Sequence, residues 1–173
     1  KWLKTLSKFG FGGILADDMG LGKTLQSIVF LLSERIENPS SQPALVVSPS
    51  SLVYNWKYEI ERFAPSLKIA AVSGSKEERK EVLTSTEDVD VFITSYPLMR
   101  QDQTEWKNRE FSILLLDEAQ AIKNDTTKIA KTIKSIQASR KFALSGTPIE
   151  NSLSELWSIF DCILPGFFPT KKK

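Results

Sequence analysis

The segment Asp17-Asp18-Met19-Gly20-Leu21-Gly22-Lys23-Thr24 gathers two glycines, a lysine and a hydroxyl into one short loop. Gly20 and Gly22 allow a sharp turn and a close approach of backbone to a phosphate. Amides of such a loop, and of a helix that starts there, point at an anion. Asp18, Met19, Gly20, Leu21 and Gly22 would form the cradle. Lys23 would set a charge against the β- and γ-phosphates of a nucleotide, and the Thr24 hydroxyl suits Mg²⁺. The general phosphate-loop pattern opens with Gly where Asp17 stands. A plain turn before a helix is the competing reading.

Two further segments could complete the chemistry. In Leu114-Leu115-Leu116-Asp117-Glu118-Ala119-Gln120 an apolar run ends in adjacent carboxylates. Asp117 can hold Mg²⁺ directly or through water, and Glu118 can orient and polarise an attacking water. Phosphoryl transfer asks for little beyond positioning and charge stabilisation. Alone, the acids could be a solvated strand end; together with the first loop they read as a nucleotide site. Leu144-Ser145-Gly146-Thr147-Pro148-Ile149-Glu150-Asn151 also follows an apolar run, and its hydroxyls could bond Glu118 and a γ-phosphate. Taken alone it is a turn and helix cap.

Composition narrows the chemistry. The 173 residues contain no histidine, which removes a His base, a catalytic triad and a His metal ligand. One cysteine, Cys162, allows neither an internal disulfide nor a thiolate zinc cluster, and it reads as a core residue. A net charge of +2 neither reveals nor excludes a nucleic-acid binder. No apolar run is long enough to span a membrane, and the start is no signal peptide. An intracellular setting is expected, cytoplasmic if bacterial and nuclear if eukaryotic. The chain opens without Met and ends in three lysines, as a fragment of a longer protein would.

Short apolar runs must position these loops. They are Ile14–Ala16, Ala44–Val47, Lys68–Val72, Val89–Thr94, Ile113–Leu116 and Phe142–Leu144, each readable as a strand buried on both faces. Helical faces lie between them: Leu25, Ile28, Val29 and Leu32; Val53, Trp56, Ile60 and Phe63; Ile129, Ile133 and Ile136; and a stripe from Leu153 to Leu164 that includes Trp157 and Phe160. Alternation of this kind predicts an α/β fold, a mostly parallel central sheet with helices on both faces. Its ligands bind at the C-terminal ends of strands. Trp56, Phe63, Trp157 and Phe160 read as core residues rather than base-stacking platforms. Lys57 and Arg100 read as solvated surface charges. Phe167-Phe168 stays open between packing on this lobe and facing another segment.

Read in order, the segments resemble the first RecA-like lobe, a P-loop NTPase fold, of the Swi/Snf family of helicase-like ATPases. Gly12–Thr24 resembles motif I, with the family's acidic residue at Asp17. Leu45–Trp56 resembles motif Ia, and Ile93-Thr94-Ser95-Tyr96 motif Ib. Asp117-Glu118-Ala119-Gln120 resembles motif II, with Gln120 where His is more usual. Leu144–Asn151 resembles motif III. The resemblance implies one domain over residues 1–173, with ATP and Mg²⁺ as ligands. Lys23 and Thr24 would hold phosphates and metal, Asp117 would share the metal, and Glu118 would activate water. Pro49, Ser50, Thr94 and Ser95 would grip a duplex DNA backbone. Gln120, Ser145, Gly146 and Thr147 would couple ATP state to DNA contacts. It further implies a second RecA-like lobe in cis that carries arginine fingers, and an adenine-reading Gln upstream of residue 1, near a helix holding Trp2 and Leu3. Without the second lobe the chain is expected to hydrolyse almost nothing. The first lobe of an RNA helicase or of a restriction-type translocase is the alternative, and a non-catalytic scaffold is a third reading.

Overall fold

The six apolar runs become six strands. A computed structural model describes residues 13–16, 21–85, 87–122, 128–145, 159 and 161–164. The strands are β1 (Gly13–Ala16), β2 (Ala44–Ser48), β3 (Ile69–Ala71), β4 (Val91–Ser95), β5 (Glu110–Leu116) and β6 (Gln137–Ser145). They form one sheet in the order β1-β6-β5-β2-β4-β3. Every pairing is parallel. Parallel neighbours need crossovers, and these are helices. They are α1 (Leu21–Glu37), α2 (Val53–Phe63), α3 (Lys76–Thr84), α4 (Tyr96–Gln101), α5 (Gln103–Lys107) and α6 (Lys128–Ser135). Residues 161–163 are also helical.

Side-chain alternation along the strands divides the core into two layers. Val46, Ile113, Leu115, Phe142 and Leu144 pack with Ile28 of α1 and with Val53, Trp56 and Ile60 of α2. Leu45, Val47, Leu114, Leu116 and Ala143 face the other way, toward Leu83, Met99, Trp106 and Ile133. Cys162 lies in this second layer, as expected of a core thiol.

The helical faces differ in detail from the expected ones. Ile28 is buried, but Leu25 and Val29 are exposed, Val29 by 56%; Ser27, Phe30 and Leu31 are buried beside Ile28. Six of the eight residues from Leu25 to Leu32 are apolar, so the pattern permits more than one face. Phe63 ends α2 exposed, with the Arg62 guanidinium 5.0 Å from its ring centre. Trp2, Leu3, Trp157, Phe160 and Phe167-Phe168 lie outside the described residues. Among the described residues no helix is long and apolar enough to cross a membrane.

Lys141 of β6 is 8% exposed, and its Nζ donates to Ile133 O at 3.1 Å. The same carbonyl accepts the Ile136 amide at 3.2 Å, so it keeps a partner if Lys141 is replaced. Burial lowers the Lys141 pKa from the ordinary 10.5. The buried charge therefore costs stability in full below the folded-state pKa, and the cost fades as pH rises toward 10.5. Lys141→Met is expected to raise unfolding free energy by about 1 kcal/mol at pH 7. Urea titrations should show that gain shrinking in alkali; a gain that does not shrink would refute the cause.

Candidate nucleotide site

The strand register aligns five loops along one edge of the sheet. Ala16 pairs with Ser145. Leu116 pairs with Ala143 on one side and Val47 on the other. Ser48 pairs with Ser95. The ends of β1 and β6, Asp117, Pro49 and the end of β4 thus lie at the C-terminal edge of the sheet, where α/β sheets bind ligands.

Leu21 opens α1, a helix of 17 residues. The first four amides of a helix have no partner within it, so this end can meet an anion. Asp18, Met19 and Gly20 lie outside the described residues. Lys23 is 4% exposed, and its Nζ donates to Ser145 O at 2.5 Å. Lys23, Thr24, Trp56, Asp117 and Glu118 line one cleft of about 470 Å³. That volume falls within the roughly 300–1,000 Å³ usual for small-molecule sites.

Asp117 is 9% exposed. Its Oδ2 accepts the Trp56 indole N–H at 2.7 Å, and its Oδ1 accepts the Glu118 amide at 2.9 Å. Burial pushes its carboxyl above the usual carboxylate range. The Trp56 bond pulls it back, the Glu118 charge raises it, and the Glu118 amide and Lys23 lower it. Glu118 is half-buried and sits in the left-handed region, φ 48° and ψ 52°. Gln120 Nε2 donates to Glu118 Oε2, and the Ser145 hydroxyl donates to Gln120 Oε1 at 3.1 Å. A chain of contacts therefore runs Lys23–Ser145–Gln120–Glu118. Gly146 and Thr147 lie outside the described residues.

Among the described residues no three acidic or thiol side chains converge. The cleft instead offers the Asp117 carboxylate and the Thr24 hydroxyl. That pair suits Mg²⁺, which usually takes one or two carboxylates and completes its shell with substrate phosphates and water.

The residues expected to grip a duplex divide into two kinds. Pro49 is half-buried and Ser50 is exposed. Thr94 and Ser95 are buried, and their hydroxyls have internal work. Thr94 Oγ1 donates to Val72 O at 3.0 Å, and Ser95 Oγ accepts the Leu98 amide at 3.3 Å, capping α4. Within this lobe both hydroxyls are turned inward, because β4 is buried on both faces. Arg100 is exposed and shares an open recess with Lys128 and Lys131. Lys57 lies 3.5 Å from Glu61 one helical turn on.

Two site residues escaped the sequence reading. Trp56 was assigned to the core, which it joins, yet its N–H reaches Asp117. The available signal was that a buried indole seeks an acceptor. Tyr96 is buried, and its hydroxyl donates to Asp117 O at 2.6 Å. Burial holds its pKa well above the usual phenol range, so the hydroxyl remains a donor.

Comparison with known proteins places the chain among relatives. The SNF2-related domain family matches residues 1–173. An uncharacterised ATP-dependent helicase of Mycoplasma pneumoniae is 42% identical over 173 residues, which is 100% of this chain and 17% of that protein. The TATA-binding protein-associated factor MOT1 of Saccharomyces cerevisiae is 38% identical over 182 residues, 99% of this chain and 10% of that one. The chain thus spans a small part of the curated relatives it matches. Among solved structures, the Sulfolobus solfataricus SWI2/SNF2 ATPase core in complex with dsDNA superposes with a TM-score of 0.86 at 42% identity, over 95% of this chain and 34% of that one.

The left-handed backbone at Glu118 costs a non-glycine residue on the order of 1 kcal/mol, partly offset by the extra chain entropy that glycine loses on folding. Glu118→Gly is therefore expected to leave stability unchanged or raise it by up to about 1 kcal/mol. Chemical denaturation without nucleotide tests this. A clear loss would mean that the bond from Gln120 outweighs the strain.

Proposed function

Since the chain belongs to the SNF2-related domain family, we propose that residues 1–173 are the nucleotide-binding first RecA-like lobe of a DNA-dependent ATPase. The complete protein would couple ATP hydrolysis to movement on duplex DNA or to remodelling of protein–DNA complexes. One observation carries the reading: Lys23, Thr24, Asp117 and Glu118 line a single cleft. The relatives named as an ATP-dependent helicase and as a SWI2/SNF2 ATPase core in complex with dsDNA support it.

In this proposal the amides at the start of α1 receive the phosphates and Lys23 neutralises the β- and γ-oxygens. Lys23 leaves the Ser145 carbonyl to do so, which links phosphate arrival to the end of β6. Thr24 and Asp117 hold Mg²⁺, which supplies charge stabilisation on the transferring phosphoryl group. Glu118 accepts a proton from, or orients, the attacking water. Gln120 and Ser145, with Gly146 and Thr147 beyond, carry the state of Glu118 toward the nucleic-acid side. Pro49, Ser50 and the backbone at the end of β4 approach the duplex phosphates, a contact that needs no base reading. The second lobe in cis completes the cleft with arginine fingers, worth about 10³–10⁵ in rate.

In the full-length protein, Glu118→Gln should bind Mg-ATP with near-normal affinity and lose duplex-stimulated turnover by about 10²–10⁴. Normal hydrolysis by that variant would end the water-activation role. Stimulation by RNA rather than duplex DNA would move the reading to the helicase alternative. The isolated 173 residues should show no robust duplex-stimulated turnover; measurable DNA-dependent hydrolysis by them would overturn the need for a second lobe.

A further inference from the structure

Each polar atom of Asp117 has a partner. Its amide donates to Val47 O at 2.7 Å, its carbonyl accepts Tyr96 Oη, its Oδ1 accepts the Glu118 amide and its Oδ2 accepts Trp56 Nε1. The two side-chain partners come from opposite faces of the sheet. Trp56 belongs to the layer under α1 and α2, and Tyr96 to the layer under α3 to α6. We infer that Trp56 and Tyr96 are positioning residues that clamp Asp117 from both faces, wiring the metal-binding carboxylate to the two loops nearest the duplex. This rests on the proposed function of the cleft.

The connection is short on both sides. Pro49 and Ser50 leave β2 and lead through one 3₁₀ turn, Ser50–Leu52, directly into α2, which carries Trp56. Thr94 and Ser95 end β4, and Tyr96 is the next residue, the first of α4. The two loops are neighbours, because Ser48 pairs with Ser95. A shift of α2 or α4 on contact with a phosphate backbone would therefore reach Asp117 through a single hydrogen bond from each helix.

The chemistry of the donors fits this role. An indole N–H and a buried phenol can only give a proton to these acceptors. Bonds at both Oδ1 and Oδ2 fix the plane of the carboxylate and leave further lone pairs for metal or water. The Tyr96 bond fixes the carbonyl immediately before the left-handed Glu118, so it also sets where the chain turns.

Partners that orient a metal ligand typically change metal affinity or activity 10–100-fold when removed. The test uses the full-length protein and a non-hydrolysable ATP analogue, with affinity measured in Mg²⁺ and again in EDTA. Trp56→Phe keeps the ring and loses the donor; Tyr96→Phe loses one oxygen. Each is expected to cut the Mg²⁺-dependent gain in affinity by about 10-fold or more, with metal-free binding within about twofold of wild type. Each should also weaken the mutual effect of duplex DNA and Mg-nucleotide on one another's binding, since such coupling is reciprocal. A wild-type Mg²⁺ gain in these variants, while Asp117→Asn abolishes it, overturns the clamp and leaves the site reading standing. A wild-type gain in Asp117→Asn overturns both. If Trp56→Phe fails to fold, Tyr96→Phe decides on the same measurement.

Discussion

A carboxylate held at the end of a strand that is buried on both faces is the constraint around which this lobe is built. Withdrawing such a charge from water costs several kcal/mol, and the site must return most of it through fixed donors. Asp117 receives two bonds at its carboxylate, from Trp56 and the Glu118 amide, with the Lys23 charge nearby. Bonds to a charged group are worth about 1.5–3 kcal/mol each, so two of them are of the right size to offset the burial. Their origin matters more than their sum. The donors sit on different elements, so the carboxylate stays in place only while α2 and the turn after β5 keep their registry.

Glu118 is governed differently. It is only half-buried, and its carboxylate accepts a hydrogen bond from the neutral Gln120 amide. The amide of Gln120 donates a hydrogen bond to Glu118 and accepts one from Ser145, and it carries no titratable group. A neutral imidazole could make the same two bonds but would change charge near pH 6.5. In a chain without histidine the bridge keeps one charge state across the physiological range. Because Ser145 also receives Lys23 through its carbonyl, one residue joins the buried cation to the bridge that holds Glu118.

Strands and site differed in how openly the sequence displayed them. All six strands could be read because a parallel sheet covered on both faces demands near-continuous apolar runs, and those runs are short and well separated. The lysine and the acid pair stand out because few chemistries need a Gly-Lys-Thr run at a helix start and paired acids at a strand end. The short polar helices α3, α4 and α5 could not. α3 reads as charge, and its Arg79 is buried against Asp102 at 2.7 Å and the Gly74 carbonyl at 2.8 Å, the first a contact with a segment 23 residues on. The true face of α1 was hidden by an excess of apolar residues rather than a lack of them. Trp56 was hidden for a related reason: its ring satisfies the apolar pattern so well that nothing local marks the one polar atom it carries. The inward turn of Thr94 and Ser95 follows from strand alternation, but only once the helices on each face are known.

Strand order explains why the clamp falls on Asp117 and on no other site residue. The sheet runs β1-β6-β5-β2-β4-β3. The ends of β1 and β6, the latter at Ser145, occupy one side of β5, and the ends of β2 and β4 occupy the other. β5 is the boundary between a nucleotide half and a half whose loops face the proposed duplex. A residue at its C-terminal end is within one hydrogen bond of both halves, whereas Lys23 and Thr24 belong to the helix that follows β1, the strand at the far edge from β4. Coupling across a rigid sheet needs a two-sided contact at that boundary rather than motion of the strands themselves, because close-packed interiors transmit displacement instead of absorbing it. Asp117 supplies the contact. Its side chain faces the candidate cleft, its backbone is pinned from the layer that carries α4, and its indole partner sits in the first turn of the helix that follows the β2 loop.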